Sequence, residues 1–275
     1  MPAEVPSSGG PTPAVPPALR PDWPAPPGVL ALMSTRRGGV SLAPFDSLNL
    51  RPPALGGDAV DAPAAVFENQ RRFASALGAQ PVWLDQVHGA QIVRLSAADL
   101  KAGQPLRRAD ASVCTEPGIA CTVLVADCLP VLLCCANGRA VAAAHAGWRG
   151  MAGGVLANTV AALCEAGGCA PDQLLAWLGP CIGPTAFEVG ADVLAAFGAE
   201  PSQLDPALFK ASPRPDGSPR WRANLAALAQ RQLAALGVAQ VSAAQACTVS
   251  DSSRFFSFRR DGRTGRMAAG VALRA

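Results

Sequence analysis

The sequence predicts an α/β fold in a single domain, and three observations carry that reading. Strand-like apolar segments mix with amphipathic stretches that end at glycine. Two of the apolar runs, 121–126 (CTVLVA) and 131–135 (VLLCC), are apolar on both faces. Such runs belong to central strands covered from both sides. No proline-rich linker divides the chain after residue 28, and ASPRPDGSPR at 211–220 reads as a surface loop. Half of the 275 residues are hydrophobic, enough for a substantial core.

The elements follow in chain order. Residues 1–28 are rich in proline with alanine, serine and glycine. They bury too little surface to offset ordering, so a disordered tail is expected there and a folded domain over 29–275. Strands are predicted at 29–34, 91–95, 121–126, 131–135, 139–145, 174–178, 239–246 and 267–273. Helices are predicted at 63–77, 151–165, 190–197 and 224–236. The first places Val66, Phe73 and Leu77 on one face and stops at Gly78. The second aligns Leu156, Val160 and Leu163 before Gly167 and Gly168. The third ends at Gly198. The fourth carries Leu225, Leu228, Leu233 and Leu236 on one stripe, with Asn224 as N-cap and Gly237 as stop.

Composition excludes several classes. A net charge of +3, from 23 basic and 20 acidic residues, makes no electrostatic case for nucleic acid. Arginines do gather in RFFSFRRDGRTGR (254–266), which leaves a local anion site open. The start, MPAEVPSSGG, lacks the basic and apolar regions of a secretory signal. The apolar run 119–136 is broken by Asp127 and Pro130, so it reads as two buried strands and not as a membrane span. Nine cysteines, an odd number with no C-x-x-C pair, are expected as reduced thiols in a cytoplasmic protein.

Histidine is the scarce residue. The chain has two, His88 in LDQVHGAQIV and His145 in VAAAHAGWRGMAGGV. Cys128, in VLVADCLPVLL, ends another strand. Were strands 121–126 and 139–145 neighbours in one sheet, Cys128 and His145 would share a rim. Two imidazoles and one thiolate make a three-ligand set, the number that catalytic zinc sites use while leaving a fourth position open. Spacing alone is weak evidence for a metal, and on it the same residues read first as two hydrogen-bonded histidines at strand ends and a buried thiol.

Five segments in fixed order then carry a resemblance. WLDQVHGAQIV, RADASVCTEPGIACTVLVADCLPVLL, VAAAHAGWRGMAGGVL, WLGPCIGPTAFEVG and FFSFRRDGRTGRMA closely resemble the YfiH-like, or laccase-domain (multicopper polyphenol oxidase), family. STRRGGVSLAPFDSLNL resembles its N-terminal segment. The likeness spans Gly28 to the C-terminus. It implies mixed central β-sheets sandwiched by helices, a fold similar to that of cysteine–histidine deamidase toxins. It also implies metal ligation by His88, Cys128 and His145.

The activity it implies is a zinc-dependent purine nucleoside phosphorylase, acting with phosphate on adenosine, inosine and methylthioadenosine, with adenosine deaminase activity beside it. Catalytic roles then fall to Cys128, His145 and Arg149, and substrate contacts to Arg36, Asn49 and Arg149. Arg149 follows His145 by four residues and has a planar fork that matches phosphate oxygens. Gln86 and Asp127 flank metal ligands and suit their orientation. Glu188 is a candidate for proton transfer or for helix-start stabilisation. Copper can bind such a site, but two histidines are too few for a multicopper oxidase. A peptidoglycan-precursor-editing amidohydrolase, a copper-dependent polyphenol oxidase and a metal-buffering scaffold are the competing readings. The expected partners are nucleoside and phosphate, without nucleic acid or membrane; the sequence leaves open a monomer or a small homo-oligomer. The family's usual tyrosine in FFSYRR is Phe258 here, in a chain with no tyrosine.

Overall fold

The protein is described by a computed structural model covering residues 16–57, 60–101 and 103–275. Two mixed sheets stack face to face, with helices on their outer faces. The first runs in the order Ala18–Leu19, Val29–Ser34, Met267–Leu273, Ile119–Val125, Gln80–Val82. The second runs Gln240–Ala243, Leu174–Leu178, Leu129–Cys135, Val141–Ala146, Ala111–Cys114, Ile92–Arg94.

Side-chain alternation builds three apolar layers. Between the sheets, Met33, Val123, Met267 and Val271 meet Leu132, Val141, Leu175 and Trp177. On the far side of the first sheet, Leu32, Leu124 and Ala272 pack under Phe73 and Leu77 of the Pro63–Leu77 helix. On the far side of the second, Val131, Leu133, Ala142 and Ala144 support Leu156, Val160 and Leu163 of the Val155–Gly167 helix, and Leu228 and Leu233 of the Leu225–Ala235 helix. Small residues bring that helix close. A Cβ at Gly167 would overlap the Cys135 sulphur.

The helix signals operate as expected at several ends. Gly78 caps Pro63–Leu77 in the left-handed conformation, at φ 78°. The Asn224 side chain accepts the Ala227 N–H at 3.1 Å. Three expectations are corrected. The helix expected at 151–165 is two helices, Trp148–Ala152 and Val155–Gly167, because Gly154 at φ 91° breaks the path between them. The tail expected over 1–28 lies outside the described residues only to residue 15. From residue 16 onward the segment is packed: Ala18–Leu19 pairs with Met33–Ser34, and Leu19, Trp23 and Ala25 cover the inter-sheet core.

The third correction concerns the rim. Ile119–Val125 and Val141–Ala146 are not neighbours in one sheet. The former pairs with Met267–Leu273 in the first sheet. The latter pairs with Leu129–Cys135 in the second, where His145 faces Pro130 and Ala146 faces Leu129. The chain crosses between sheets at Asp127, whose φ of 101° makes the turn.

Candidate metal centre and its cleft

That crossing sets Cys128 just before Leu129–Cys135, whose antiparallel neighbour Val141–Ala146 carries His145 next to its end. The third donor comes from the loop after Leu84–Asp85, where His88 adopts a left-handed φ of 58°. One ligand atom from each of His88, Cys128 and His145 lies within 4.8 Å of the others. The Cys128 sulphur is 3.9 Å from Nε2 of His88, and the two imidazole rings meet edge to face with centroids 4.8 Å apart. His145 is buried, Cys128 half-buried and His88 exposed, so the trio opens to solvent on one side.

Asp110 holds the two histidines in place. It sits just before Ala111–Cys114, the other neighbour of the His145 strand, and is fully buried. Its carboxylate accepts the backbone N–H groups of Val87, His88 and Gly89 at 3.1, 2.9 and 2.7 Å. The same carboxylate stands 2.8 Å from Nδ1 of His145. With Nδ1 engaged there, Nε2 of His145 is the nitrogen free to serve a metal. Sequence reasoning passed over Asp110. Its only sequence signal is its place in RADASVC, 22 residues from His88 and 35 from His145.

The electrostatics suit a thiolate. Burial opposes charge on Cys128, but His145 and His88 outweigh it and bring the thiol down to about 6. Burial likewise opposes the His145 imidazolium, yet Cys128 and Asp110 raise it to about 9. Burial works against the Asp110 carboxylate too, and His145 with the Gly89 and Val87 amides holds it below its usual range. Two imidazole nitrogens and a thiolate, with one histidine braced by a carboxylate and one side of the site open, suit a zinc ion. Gly147 keeps the space clear: a Cβ there would stand 3.1 Å from the Cys128 sulphur and 3.2 Å from Cδ2 of His88.

The trio forms part of a cleft of about 490 Å³, within the range of small-molecule sites. Leu84, Trp148, Ile182, Phe187 and Phe258 give it an apolar and aromatic wall. Arg51, Arg149, Arg259 and Arg266 give it a cationic one. Arg149 is exposed and stacks on Trp148, its guanidinium carbon 4.3 Å from the ring centroid. Gln86 clamps the Leu124 backbone through both amide atoms, at 2.9 and 2.7 Å. Asp127 ties the metal loop to the C-terminal arginine segment by accepting the Thr248 hydroxyl and the Arg259 N–H, each at 2.6 Å.

Other sequence candidates lie outside this cleft. Arg36 is committed to Asp46 and the Ser252 carbonyl, and stacks over Phe256. Asn49 is fully buried and reaches the cleft only through the backbones it holds. Glu188 pairs with Arg214 at 2.6 Å, away from the metal trio.

With the geometry in hand, comparisons with known proteins place the chain. Residues 30–274 match the family described as multi-copper polyphenol oxidoreductase laccase. The chain belongs to this family. Relatives within reach include the purine nucleoside phosphorylase PA4543 of Pseudomonas aeruginosa, 49% identical over 93% of this chain and 98% of that protein. The purine nucleoside phosphorylase YfiH of Escherichia coli is 45% identical over 92% and 97%. Among solved structures, the Neisseria meningitidis protein NMB0706 superposes with a TM-score of 0.80 at 43% identity, covering 94% of this chain and 99% of that one. YlmD from Geobacillus stearothermophilus gives 0.80 at 31% identity, covering 94% and 96%. The mixed α/β fold is thus the family's. Among the described residues, no helix is long and apolar enough to cross a membrane.

Proposed function

We propose that the protein is a zinc-dependent purine nucleoside phosphorylase with adenosine deaminase activity beside it. The observation that carries this reading is one cleft uniting the His88–Cys128–His145 trio with a cationic wall and an aromatic wall. The names of relatives at 45–49% identity agree with its phosphorylase part. A laccase mechanism is not supported by the donor count. The chain has two histidines, and the described residues hold a single His/Cys/carboxylate cluster of metal-binding geometry.

His88, Cys128 and His145 would hold a zinc ion, which would supply Lewis acidity. The rest of the chemistry falls to this chain's residues. In phosphorolysis a phosphate oxygen bonds to the anomeric carbon of the ribose. The carbon–nitrogen bond to the base breaks, and the base leaves with the electron pair and takes up a proton. The arginines draw the anion into the cleft. Trp148, Phe187 and Phe258 offer aromatic and apolar surface to the purine. Arg149, stacked at the cleft mouth, contacts substrate, while Asn49 positions backbone and Arg36 supports the fold from outside. Asp110 fixes the histidine tautomer and Cys128 serves as a thiolate ligand.

The test is incubation of the zinc-loaded protein with adenosine or inosine, with and without phosphate, and chromatography of the products. Phosphate-dependent release of free base supports the phosphorylase, and conversion of adenosine to inosine the deaminase. No free base from any purine nucleoside overturns the phosphorylase reading.

A further inference from the structure

The four cleft arginines differ in what they are already bound to. Arg149 is exposed on Trp148. Arg259 donates its N–H to Asp127 and a guanidinium N–H to the Glu188 carbonyl at 3.2 Å. Arg51 and Arg266, by contrast, are joined at the backbone. The Asn49 side-chain oxygen accepts the N–H of Arg51 at 3.2 Å and that of Arg266 at 2.9 Å. The Leu50 N–H donates to the Arg266 carbonyl at 3.0 Å. Both side chains pass from this joint into the metal cleft.

The chain uses only part of their hydrogen-bonding capacity. Nη1 of Arg51 is buried with no hydrogen-bond partner among the described residues, and its Nη2 makes one long contact, 3.4 Å to the Leu55 carbonyl. Nη1 of Arg266 is held by the Thr264 and Gly265 carbonyls at 3.0 and 3.1 Å, which anchors the guanidinium. Its Nε and Nη2 make no hydrogen bond among the described residues. A buried guanidinium donor is costly to leave unmet, and two like charges side by side add to that cost.

The acids within reach are occupied. Asp85 lines the cleft but pairs with Arg108 at 3.5 Å. Both oxygens of Asp127 are taken by Thr248 and Arg259. Asp85 acts on Arg51 by charge and makes no hydrogen bond to it, Arg51 and Arg266 feel each other's charge in the same cleft, and planar guanidinium forks match a tetrahedral oxyanion.

We propose that Arg51 and Arg266 form a phosphate subsite on the cleft wall beside the metal trio, organised by Asn49. The subsite deepens the phosphorylase reading and rests on it for its place in the reaction. The phosphate is either the inorganic co-substrate or a phosphate carried by the purine nucleoside itself. Both present the same oxygens to the same forks.

The experiment measures binding of inorganic phosphate, and separately of adenosine monophosphate, to the zinc-loaded protein by calorimetry. It is paired with steady-state kinetics on inosine at varied phosphate. The variants are Arg51→Gln and Arg266→Lys, the latter keeping charge while removing the fork, with zinc content and circular dichroism recorded for each. We expect phosphate affinity to fall at least tenfold in both, and the KM for phosphate to rise in parallel, while the KM for inosine and the zinc content stay unchanged. Loss confined to adenosine monophosphate assigns the same subsite to a nucleotide's phosphate. Phosphate binding that is absent in the wild type for both ligands, or unchanged in both variants, overturns the subsite. Phosphate binding that depends on Arg51, in a protein that cleaves no nucleoside, leaves the subsite standing and removes the phosphorylase reading instead.

Discussion

Oδ1 of Asp110 stands 2.8 Å from Nδ1 of His145 and also accepts the N–H of His88 at 2.9 Å, so a single carboxylate positions both histidines of the candidate metal centre. Asp110→Asn replaces one acceptor oxygen with an NH2 facing N–H donors. We expect metal affinity to fall about 10–100-fold, the usual cost of losing such a partner, and stability to fall by about 1–3 kcal/mol. Competitive zinc titration and thermal unfolding read the two effects. Unchanged affinity would show that Asp110 serves the fold alone.

Gly147 opens a helix at φ −66°, a conformation any residue adopts, so alanine there meets no backbone strain. Its Cβ would press on the Cys128 sulphur and on His88, at 3.1 and 3.2 Å. Gly147→Ala is expected to weaken zinc binding while moving the unfolding midpoint of the metal-free protein little. Equal zinc affinity in the variant would show that the trio has slack around it.

Gly167 lies under the opposite constraint, deep in the helix-to-sheet packing. Gly167→Ala should cost about 1–3 kcal/mol by overpacking against Cys135, although alanine is normally the better helix former. Cys135→Ala removes the sulphur, and the double variant should recover much of the loss. A double-mutant cycle in urea measures this coupling, and additive losses would sink the explanation.

The metal-stripped protein makes a proton-placement prediction. The lowered Cys128 adds stability that is full above its ordinary value of 9 and is lost as pH falls through about 6. The raised His145 adds stability that is full below its ordinary 6.5 and is lost as pH rises through about 9. Between pH 6 and 9 these slopes oppose each other, because the pair holds one proton whether folded or unfolded. Ultraviolet absorbance should therefore show Cys128 as a thiolate at pH 7, with little pH dependence of stability from this pair. A thiol that ionises only near pH 9 would contradict the pairing.

Removing the metal should lower the melting temperature without unfolding the chain, because the three apolar layers form without it. A chelator titration followed by circular dichroism checks this. At a metal concentration about 100 times the dissociation constant, the ion contributes about 2.7 kcal/mol. Loss of the native spectrum on chelation would make the site a structural one.

The sequence by itself determined the local features. Helices at 63–77 and 224–236 were legible because apolar spacing and a glycine stop or asparagine cap act within a few residues. The central strands were legible because continuous apolar runs have no other home. The donor types were legible from the scarcity of histidine, although the residues alone favoured a buried polar set over a metal set. Tertiary structure decided what depends on pairing between distant segments. It placed Ile119–Val125 and Val141–Ala146 in different sheets, which short-range periodicity does not encode, and so reached the Cys128–His145 meeting by another route. It drew the segment from residue 16 onto the core, where a single short pairing and Trp23 outweigh a proline-rich composition. It also chose Asp110 over other carboxylates, and joined Arg51 to Arg266 through Asn49 across more than two hundred residues. Charge and hydrogen-bond capacity are written in residue types, but which groups share one buried volume is settled only when the sheets close.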